Sequence, residues 1–334
     1  MLKLLETVNM IPGANKEEKK RNPRLEDIKD TAKLLVKNKL ALTGLIISSF
    51  YIFFAILDVI YPQYLGVGPG VVTTLTRFTG PNISLTPPTD PTFSRGWYYF
   101  LGTTYANIPL LPAMLAALYN DIWDSAIVVG SGAVIGILVG TFSGYFGKII
   151  DELVMRITDI FFSIPYLIFA IIMVTVLARV FAADNITIPP LTIISVSLIV
   201  IWWPTYARLT RSITLSVKSQ KFIEASTASG SSRVRNVVVH VIPNVLSPVF
   251  VQISLDIGNV ILLFATLAFL PLTFLNLNEF TPELGSMISS SETYMLGPGW
   301  FSAVIPAVFL LIFTISINLF GDGLRDVLDP KLRR

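Results

Sequence analysis

Six long runs of apolar residues, separated by polar segments, dominate the pattern along this chain. Each run holds about 18 or more residues with few charges, which is the length that an α-helix needs to cross a hydrocarbon core of about 30 Å. The second run contains no charged residue at all. We therefore predict an all-α, polytopic membrane protein with about six transmembrane helices. The predicted spans are residues 40–60, 125–146, 157–180, 188–206, 245–267 and 301–320.

Lysine and arginine residues lie almost entirely on one side of these predicted spans. Of the 25, all but three fall in the N-terminal segment, in the loops after the second and fourth spans, or in the C-terminal tail. Only Arg77, Arg95 and Arg179 fall on the other side. Because cytoplasmic loops carry the excess of Lys and Arg, we predict a multi-pass cell-membrane protein with both termini in the cytoplasm. The predicted segments are a cytoplasmic tail (1–38), a transmembrane domain (39–320) with an external loop (62–124) and a cytoplasmic loop (207–244), and a C-terminal tail (321–334).

Composition agrees with this assignment and excludes several kinds of site. Hydrophobic residues make up 53% of the chain and charged residues only 14%, well below the share of about 25% in soluble domains. There is no cysteine, so disulfides, thiol nucleophiles and thiolate metal sites are excluded. The single histidine, His240, excludes a multi-histidine metal cluster. The first 38 residues are polar, and we expect no cleavable signal peptide among them.

Four glycines in the second predicted span, spaced four residues apart, mark one face of that helix. They are Gly132, Gly136, Gly140 and Gly144. Small residues at this spacing let another helix backbone approach closely. The row therefore indicates helix packing, either within the chain or against a partner. The stretch from Gly140 to Lys148 does not fit the GxxxxGK[ST] phosphate loop, so we expect no nucleotide or other cofactor site on this chain.

Three aspartates lie in or beside the predicted spans. Asp58 and Asp159 are close enough to span ends to be solvated, and we interpret them as structural. Asp256 lies deeper, where a charge is costly and usually faces protein or water. It either lines a translocation pathway, where it would attract a cationic group, or is a protonated or hydrogen-bonded packing residue.

The predicted cytoplasmic loop has the pattern of two short helices joined at a glycine. Residues 218–229 favour an amphipathic helix, and Gly230 suits the left-handed position that ends one. Ser231 or Ser232 can cap a second helix, which we expect to reach about Val241 and to stop before Pro243. Such a hairpin is either an ordinary juxtamembrane element or a rigid contact for a partner.

In this loop the chain resembles a known family. The residues Glu224-Ala225-Ser226, Gly230 and Pro243 follow the spacing E-A-A-x3-G-x12-P of binding-protein-dependent ABC importer permeases. His240 begins the sequence H-V-I-P-N, similar to the H-[IV]-[LI]-P-N of the dipeptide/oligopeptide (C-type) branch. Further matches are Asn38-Lys39-Leu40-Ala41-Leu42, Gly144-Tyr145-Phe146-Gly147 with Asp151, Met155-Arg156 and Asp159, Trp203 with Tyr206-Ala207-Arg208 and Arg211, Pro282-Glu283 with Gly285 and Met287, and Gly321-Asp322-Gly323-Leu324-Arg325-Asp326 with Pro330.

The resemblance implies a type I ABC importer permease-like fold and a transport subunit that is not itself an enzyme. It implies that Glu224, Ala225 and Gly230 dock into a groove on an ATPase subunit, with Ser226, His240 and Pro243 in the same coupling segment. It also implies a homologous second permease, two cytoplasmic ATPases that carry ATP and Mg²⁺, an external solute-binding protein and a lipid bilayer, with no nucleic acid. Peptides are then the expected solute.

Some residues depart from the family pattern and leave alternatives open. Ser226 replaces the second alanine, and the outer L-G-T-D motif survives only as Leu101-Gly102-Thr103. Members of this branch also carry oligosaccharides or nickel, so the same machinery with another solute is one alternative. An ion-coupled secondary transporter is another, although it would require paired ionisable groups or broken helices near the membrane centre. A membrane scaffold or receptor without transport is the third.

Overall fold

The computed structural model describes residues 34–60, 100–104, 108–186, 188–270 and 283–328. These residues form helices and connections without a β-strand. The longer helices are α1 (Lys39–Ile60), α2 (Leu110–Phe146), α3 (Lys148–Ser163), α4 (Tyr166–Ala183), α5 (Pro190–Lys218), α8 (Ile242–Phe269) and α10 (Phe301–Leu328). The short ones are α6 (Lys221–Ala228), α7 (Arg233–Asn236) and α9 (Leu284–Ser290), with a π-helical turn at Val237–Val241 and a 3₁₀ turn at Glu292–Tyr294.

Six helices in the described part of the chain are long and apolar enough to cross a membrane, which confirms the predicted all-α fold and the number of spans. Several bounds differ from the prediction. Helix α2 begins at Leu110 rather than near residue 125, so the end of the predicted external loop is helical. Its 37 residues extend over about 55 Å, more than a hydrocarbon core requires. The prediction was too short because Asn120, Asp121 and Asp124 interrupt the apolar run, although residues 110–118 before them are apolar and belong to the same helix.

The predicted third span was wrong at its start. Residues 157–163 belong to α3, which ends at Ser163, and the span proper is α4, beginning at Tyr166. Between them Ile164 is extended (φ −102°, ψ 129°), because the ring of the following Pro165 disfavours helical backbone at the preceding residue. Helix α3 is therefore a separate amphipathic element between two spans.

Contacts between helices fix their relative directions. Gly132 and Gly144 of α2 face Trp202 and Arg211 of α5 respectively, so these two helices run parallel. Helices α1 and α10 run antiparallel, since Gly323 faces Ala41 whereas Tyr51 packs against Phe309 with ring centroids 4.6 Å apart. Helices α8 and α10 are also antiparallel, because Gly321 lies against Ser254 and Gly258 against Asn318.

These directions place the start of α1 and the ends of α2, α5 and α10 at one end of the bundle. Helix α3 and residues 221–241 lie at the same end, which we call the basic end because it carries Lys148, Arg156, Lys218 and Arg235. The start of α2 and α9 lie toward the opposite end. This arrangement is what six alternating spans require.

Two groups of buried apolar residues form the core. One joins α2, α4, α5 and α8 and includes Val129, Leu198 and Phe264. The other joins α1, the start of α2, α9 and α10 around Tyr51 and Phe313, whose rings stack 5.2 Å apart. The first group also contains Ile223 and Val237, so it extends directly to the segment that carries the predicted coupling residues.

Candidate functional site

Residues 221–241, which we call the coupling hairpin, form a helix, a glycine turn and a second helical arm. Gly230 has a φ of +84°, the left-handed conformation that the sequence predicts. The N–H of Gly230 donates to the carbonyl of Thr227 (3.0 Å), and that of Ser231 donates to the carbonyl of Ser226 (3.1 Å). This pair of bonds is the Schellman motif, which satisfies carbonyls left free where α6 ends. The turn therefore favours glycine at position 230, because residues with a side chain rarely adopt this left-handed conformation.

The second arm differs from the prediction at its far end. Ser232 caps it, since its Oγ accepts a hydrogen bond from the backbone N–H of Arg235 (3.3 Å). The arm does not stop before Pro243, as predicted, but passes through the π-helical turn into α8, whose first turn contains Pro243. Proline is tolerated in the first turn of a helix, because the N–H that it lacks would have no partner within that helix. The side chain of Asn244 donates to the carbonyl of His240 (2.7 Å).

The predicted docking residues lie on the exposed side of the hairpin. Glu224, Ala225 and Gly230 are exposed, whereas Ile223 is buried in the core. Helix α6 thus presents one carboxylate beside small residues, a surface that another protein can approach closely.

Ser226 and His240 are half-buried, facing each other between the two arms. Ser226 Oγ lies 3.5 Å from Nε2 of His240. The imidazole also packs edge-on against Phe222, with ring centroids 6.1 Å apart. These two residues of the predicted set therefore hold the arms together rather than face outward.

A residue that the sequence reasoning missed, Asn236, lies at the centre of the hairpin. Its side chain is fully buried. Its Oδ1 accepts from Ser226 Oγ (2.8 Å), and its Nδ2 donates to Thr227 Oγ1 (3.1 Å) and to the hydroxyl of Tyr145 (3.4 Å). Tyr145 belongs to α2, so this amide connects the hairpin to a transmembrane helix. Nothing in the sequence marked this residue, because Asn236 directly follows Arg235 in a segment that contains other polar residues.

Two ion pairs at the basic end join α3 to α5. Arg211 donates two hydrogen bonds to the carboxylate of Asp151, at 2.5 and 2.6 Å. Arg208 donates to Asp159 (2.7 Å), and its guanidinium lies 4.1 Å from the ring centroid of Phe162. The two motifs singled out in the sequence, around Asp151 and around Arg208, thus pair with each other. Asp159 has the structural role that was expected of it, while the side chain of Asp58 lies outside the described residues.

The glycine row of α2 packs against α5 of the same chain. A β-carbon at Gly136 would collide with the side chain of Tyr206 and the backbone of Trp203 and Ala207. One at Gly140 would collide with Ala207 and Thr210, while those at Gly132 and Gly144 would be tight contacts. The hydroxyl of Thr210 donates to the carbonyl of Gly136 (3.0 Å), which ties the two backbones together. We call this contact the α2–α5 seam.

Asp256 is buried in α8 and is fully engaged by neutral donors. Trp202 Nε1 donates to its Oδ2 (3.2 Å), and Gln252 Nε2 donates to its Oδ1 (2.9 Å). Trp202 also lines a cavity of about 370 Å³ between α4, α5 and α8, together with Tyr166 and Asn259. Asp256 is 4% exposed and is not among the residues that line this cavity, but it accepts a hydrogen bond from Trp202, which is.

Comparison with known proteins identifies relatives along most of the chain. Residues 136–334 match the family described as "Binding-protein-dependent transport system inner membrane component". The chain is 31% identical to the dipeptide transport system permease protein DppC of Haemophilus influenzae over 89% of its own length and 92% of that protein. It is 32% identical to the oligopeptide transport system permease protein OppC of the same organism, over 91% of this chain and 88% of the other.

A third relative is the glutathione transport system permease protein GsiD of Escherichia coli, 37% identical over 65% of this chain and 71% of that protein. The family match covers the α2–α5 seam from Gly136 onward, the coupling hairpin and Asp256, so every predicted site residue except Gly132 lies within it. With a match over more than half of its length and six helices of membrane-spanning length, this chain belongs to the family of inner-membrane components of binding-protein-dependent transport systems.

Proposed function

We propose that this protein is the permease subunit of an ATP-driven peptide importer, coupled to its ATPases through the coupling hairpin. The observation that carries the proposal is the hairpin itself: Glu224 and Ala225 are exposed on α6, and Gly230 is exposed in the left-handed turn that follows this helix. Behind this surface, Asn236 and Ile223 attach the turn to the transmembrane core. A push on the exposed face would therefore reach the spans instead of being absorbed in a loose loop.

The proposed partners follow from this surface and from the relatives. Two cytoplasmic ATPases would bind ATP and Mg²⁺, one of them docking on the hairpin, and a second permease would complete the pathway. An external solute-binding protein would deliver the solute. The basic end would then face the cytoplasm, with both termini on that side, as the excess of Lys and Arg favours.

Peptides are the solute that we favour, because relatives along nearly the whole chain are named as dipeptide and oligopeptide permeases. The cavity beside Asp256 is our candidate for part of the pathway. Asn259 is exposed on a membrane-spanning helix, which fits a surface that meets water or a partner better than one that meets lipid. Asp256 would hold the indole of Trp202 in the wall of this pathway.

The central test is Gly230→Val in the reconstituted importer. A β-branched residue at a φ of +84° is strained whatever space is available, and no atom lies within 4 Å of the missing β-carbon. We expect uptake of peptide to fall at least about tenfold, while ATP hydrolysis by the ATPases continues, in line with typical coupling energies. Gly230→Asn is the matched control, because asparagine tolerates left-handed backbone and should retain much of the uptake.

Unchanged uptake in Gly230→Val would refute the docking role. Peptide uptake that persists in proteoliposomes without any ATPase subunit would refute the importer and favour an ion-coupled transporter. Ligand profiling of the co-purified binding protein, with peptides against oligosaccharides and nickel, tests the solute separately.

The orientation is tested by labelling from one side of the membrane. The sequence contains no cysteine, so Arg233→Cys in the hairpin places one reactive thiol in the whole chain. In intact cells we expect a membrane-impermeant thiol reagent to leave this residue unlabelled and to label it only after permeabilisation. Labelling in intact cells would place the basic end outside and contradict the proposal.

A further inference from the structure

A buried amide links the coupling hairpin to the transmembrane helices. Asn236 is completely buried although both arms of the hairpin are short and largely solvent-exposed. A buried side-chain amide is costly unless its donors and acceptor are satisfied. Here the oxygen accepts one hydrogen bond and the nitrogen donates two, so the amide is engaged on three sides.

The partners of this amide belong to two parts of the molecule. Ser226 and Thr227 lie on α6, next to the exposed Ala225, and Tyr145 lies in the last turn of α2. The hydroxyl of Thr227 donates to the carbonyl of Ile223 (2.8 Å), which leaves its oxygen free to accept from Asn236. One side chain therefore holds the docking helix against the end of a span.

The span at this junction is in turn fixed to its neighbour. Lys218, the last residue of α5, donates to the carbonyl of Tyr145 (2.6 Å), and its ammonium lies 5.4 Å from the centroid of the same ring. In the turns of α2 that precede Tyr145, α2 and α5 are in backbone contact along the α2–α5 seam. The end of α2 is thus bonded to the hairpin on one side and to α5 on the other.

We propose that Asn236 is a positioning residue that transmits movement of the coupling hairpin to α2 and α5. The inference rests on the proposed function and adds to it the connection through which the exposed face acts. In this view Ser226, which stands where the family pattern has alanine, is the hydroxyl that seats the amide. Without the bonded amide the hairpin would still dock on the ATPase, but a smaller part of its movement would be transmitted to α2 and α5.

The test uses the complete importer in proteoliposomes and measures peptide imported per ATP hydrolysed. In Asn236→Ala we expect this ratio to fall about fivefold or more, with ATP hydrolysis retained, as for typical coupling between sites. Tyr145→Phe and Ser226→Ala each remove one hydroxyl at little change in shape, and we expect smaller falls in the same ratio. The double variant of Ser226 and Asn236 should lose less than the product of the two single losses, because both act through one bond.

Ser229→Ala is the matched control. Ser229 lies on the same helix end, is exposed, and donates to the carbonyl of Ala225 rather than to Asn236 (2.9 Å). We expect this variant to keep the wild-type ratio. A fall equal to that of Ser226→Ala would show that any lost hydroxyl in α6 has the effect, and would overturn the assignment.

The other possible results for Asn236→Ala also test the inference. An assembled Asn236→Ala importer with the wild-type ratio overturns the inference. If Asn236→Ala does not assemble, the inference is tested with Tyr145→Phe and Ser226→Ala instead. An equal fall of uptake and of ATP hydrolysis in both of these variants would show that the amide has a merely structural role. Failure of the proposed function is distinguishable, because the wild-type importer would then show no ATP-dependent uptake at all.

Discussion

The two ends of the bundle solve the problem of buried polar groups in different ways. At the basic end, Asp151 is paired with Arg211, so that a negative charge meets a positive one. Toward the opposite end, Asp121 and Glu283 are almost completely buried and accept from backbone N–H groups: Leu284 donates to Asp121, and Gly285 and Ser286 donate to Glu283. No described lysine or arginine pairs with these two carboxyl groups.

This difference means that the stability of the basic end depends on a charge pair, whereas the stability of the opposite end depends on pH. Ion pairs keep both partners charged over the physiological pH range, and breaking one leaves a charge without compensation. Burial raises the pKa of Glu283 to about 7, assisted by the charge of Asp124 and opposed by the hydrogen bonds from Gly285 and Ser286. The basic end is therefore stabilised by charge, and the opposite end by a carboxyl group that holds its proton only below about pH 7. The α2–α5 seam joins the two ends.

The largest effect should come from forcing the seam apart. In Gly136→Ala the new β-carbon would meet backbone atoms that have nowhere to move, so we expect destabilisation by about 1–3 kcal/mol or loss of the folded protein. Gly130→Ala on the same helix is the control, because nothing lies within 4 Å of its β-carbon. It should stabilise the protein by up to about 1 kcal/mol through helix propensity. Thermal unfolding in detergent measures both.

Equal melting temperatures for these two alanine variants would contradict the claim that close packing at the α2–α5 seam stabilises the protein. They share the substitution and the helix and differ in the contact with α5.

A smaller effect is expected from breaking the ion pair at the basic end. Arg211→Ala leaves Asp151 without its bidentate partner in a site where the carboxylate is 15% exposed, and we expect a loss of about 2 kcal/mol. Arg156→Ala is the control, because its pair with Glu152 is long (3.6 Å) and more than 70% exposed on both sides. It should change stability by less than about 0.5 kcal/mol. Chemical or thermal unfolding of both variants gives the comparison.

If Arg156→Ala proved as damaging as Arg211→Ala, the number of charges at this end, rather than the specific pair, would determine stability. Exchanging the charges of Asp151 and Arg211 sharpens the test, since restored stability requires the contact itself.

The smallest effect is the pH response of the opposite end. The pKa of Glu283 is raised in the folded state, so its protonation contributes stability that is present at pH 4 and is lost as pH rises toward and through about 7. We expect Glu283→Gln to unfold about 2–4 °C above the wild type at pH 8 and to lose that advantage at pH 5. Melting curves at the two pH values measure it.

Glu292→Gln is the control for this titration, because Glu292 is exposed in the same segment and should show no such difference. If the melting temperature of the wild type rose between pH 5 and pH 8 relative to that of Glu283→Gln, the effect would have the opposite sign to the one expected.

Much of the site was predictable from local pattern. The left-handed Gly230 and a serine cap after it follow from the preferences of single residues at helix ends, and both are present. The break at Pro165 was also visible in the sequence, but the apolar run continues across it, and hydropathy alone does not register a change of direction. The continuation of the second arm through Pro243 could not be read locally, since it depends on a widened turn that α8 continues.

The pairings between distant segments were beyond the sequence. Asp151 and Arg211 are 60 positions apart, and Tyr145 and Asn236 are 91 apart. Each is an ordinary polar residue until the helices bring it to its partner. For the same reason the glycine row predicted a close approach but not which helix would approach.

By itself the sequence determined that this chain is a membrane protein with about six spans and a bent hairpin at its basic end, because hydrocarbon thickness, the distribution of charge and helix-end preferences act over short stretches of chain. Only the tertiary structure decided what the hairpin is attached to and which carboxyl groups are paired. Those contacts join residues far apart in the chain, and they exist only once α2 and α5 have packed against each other.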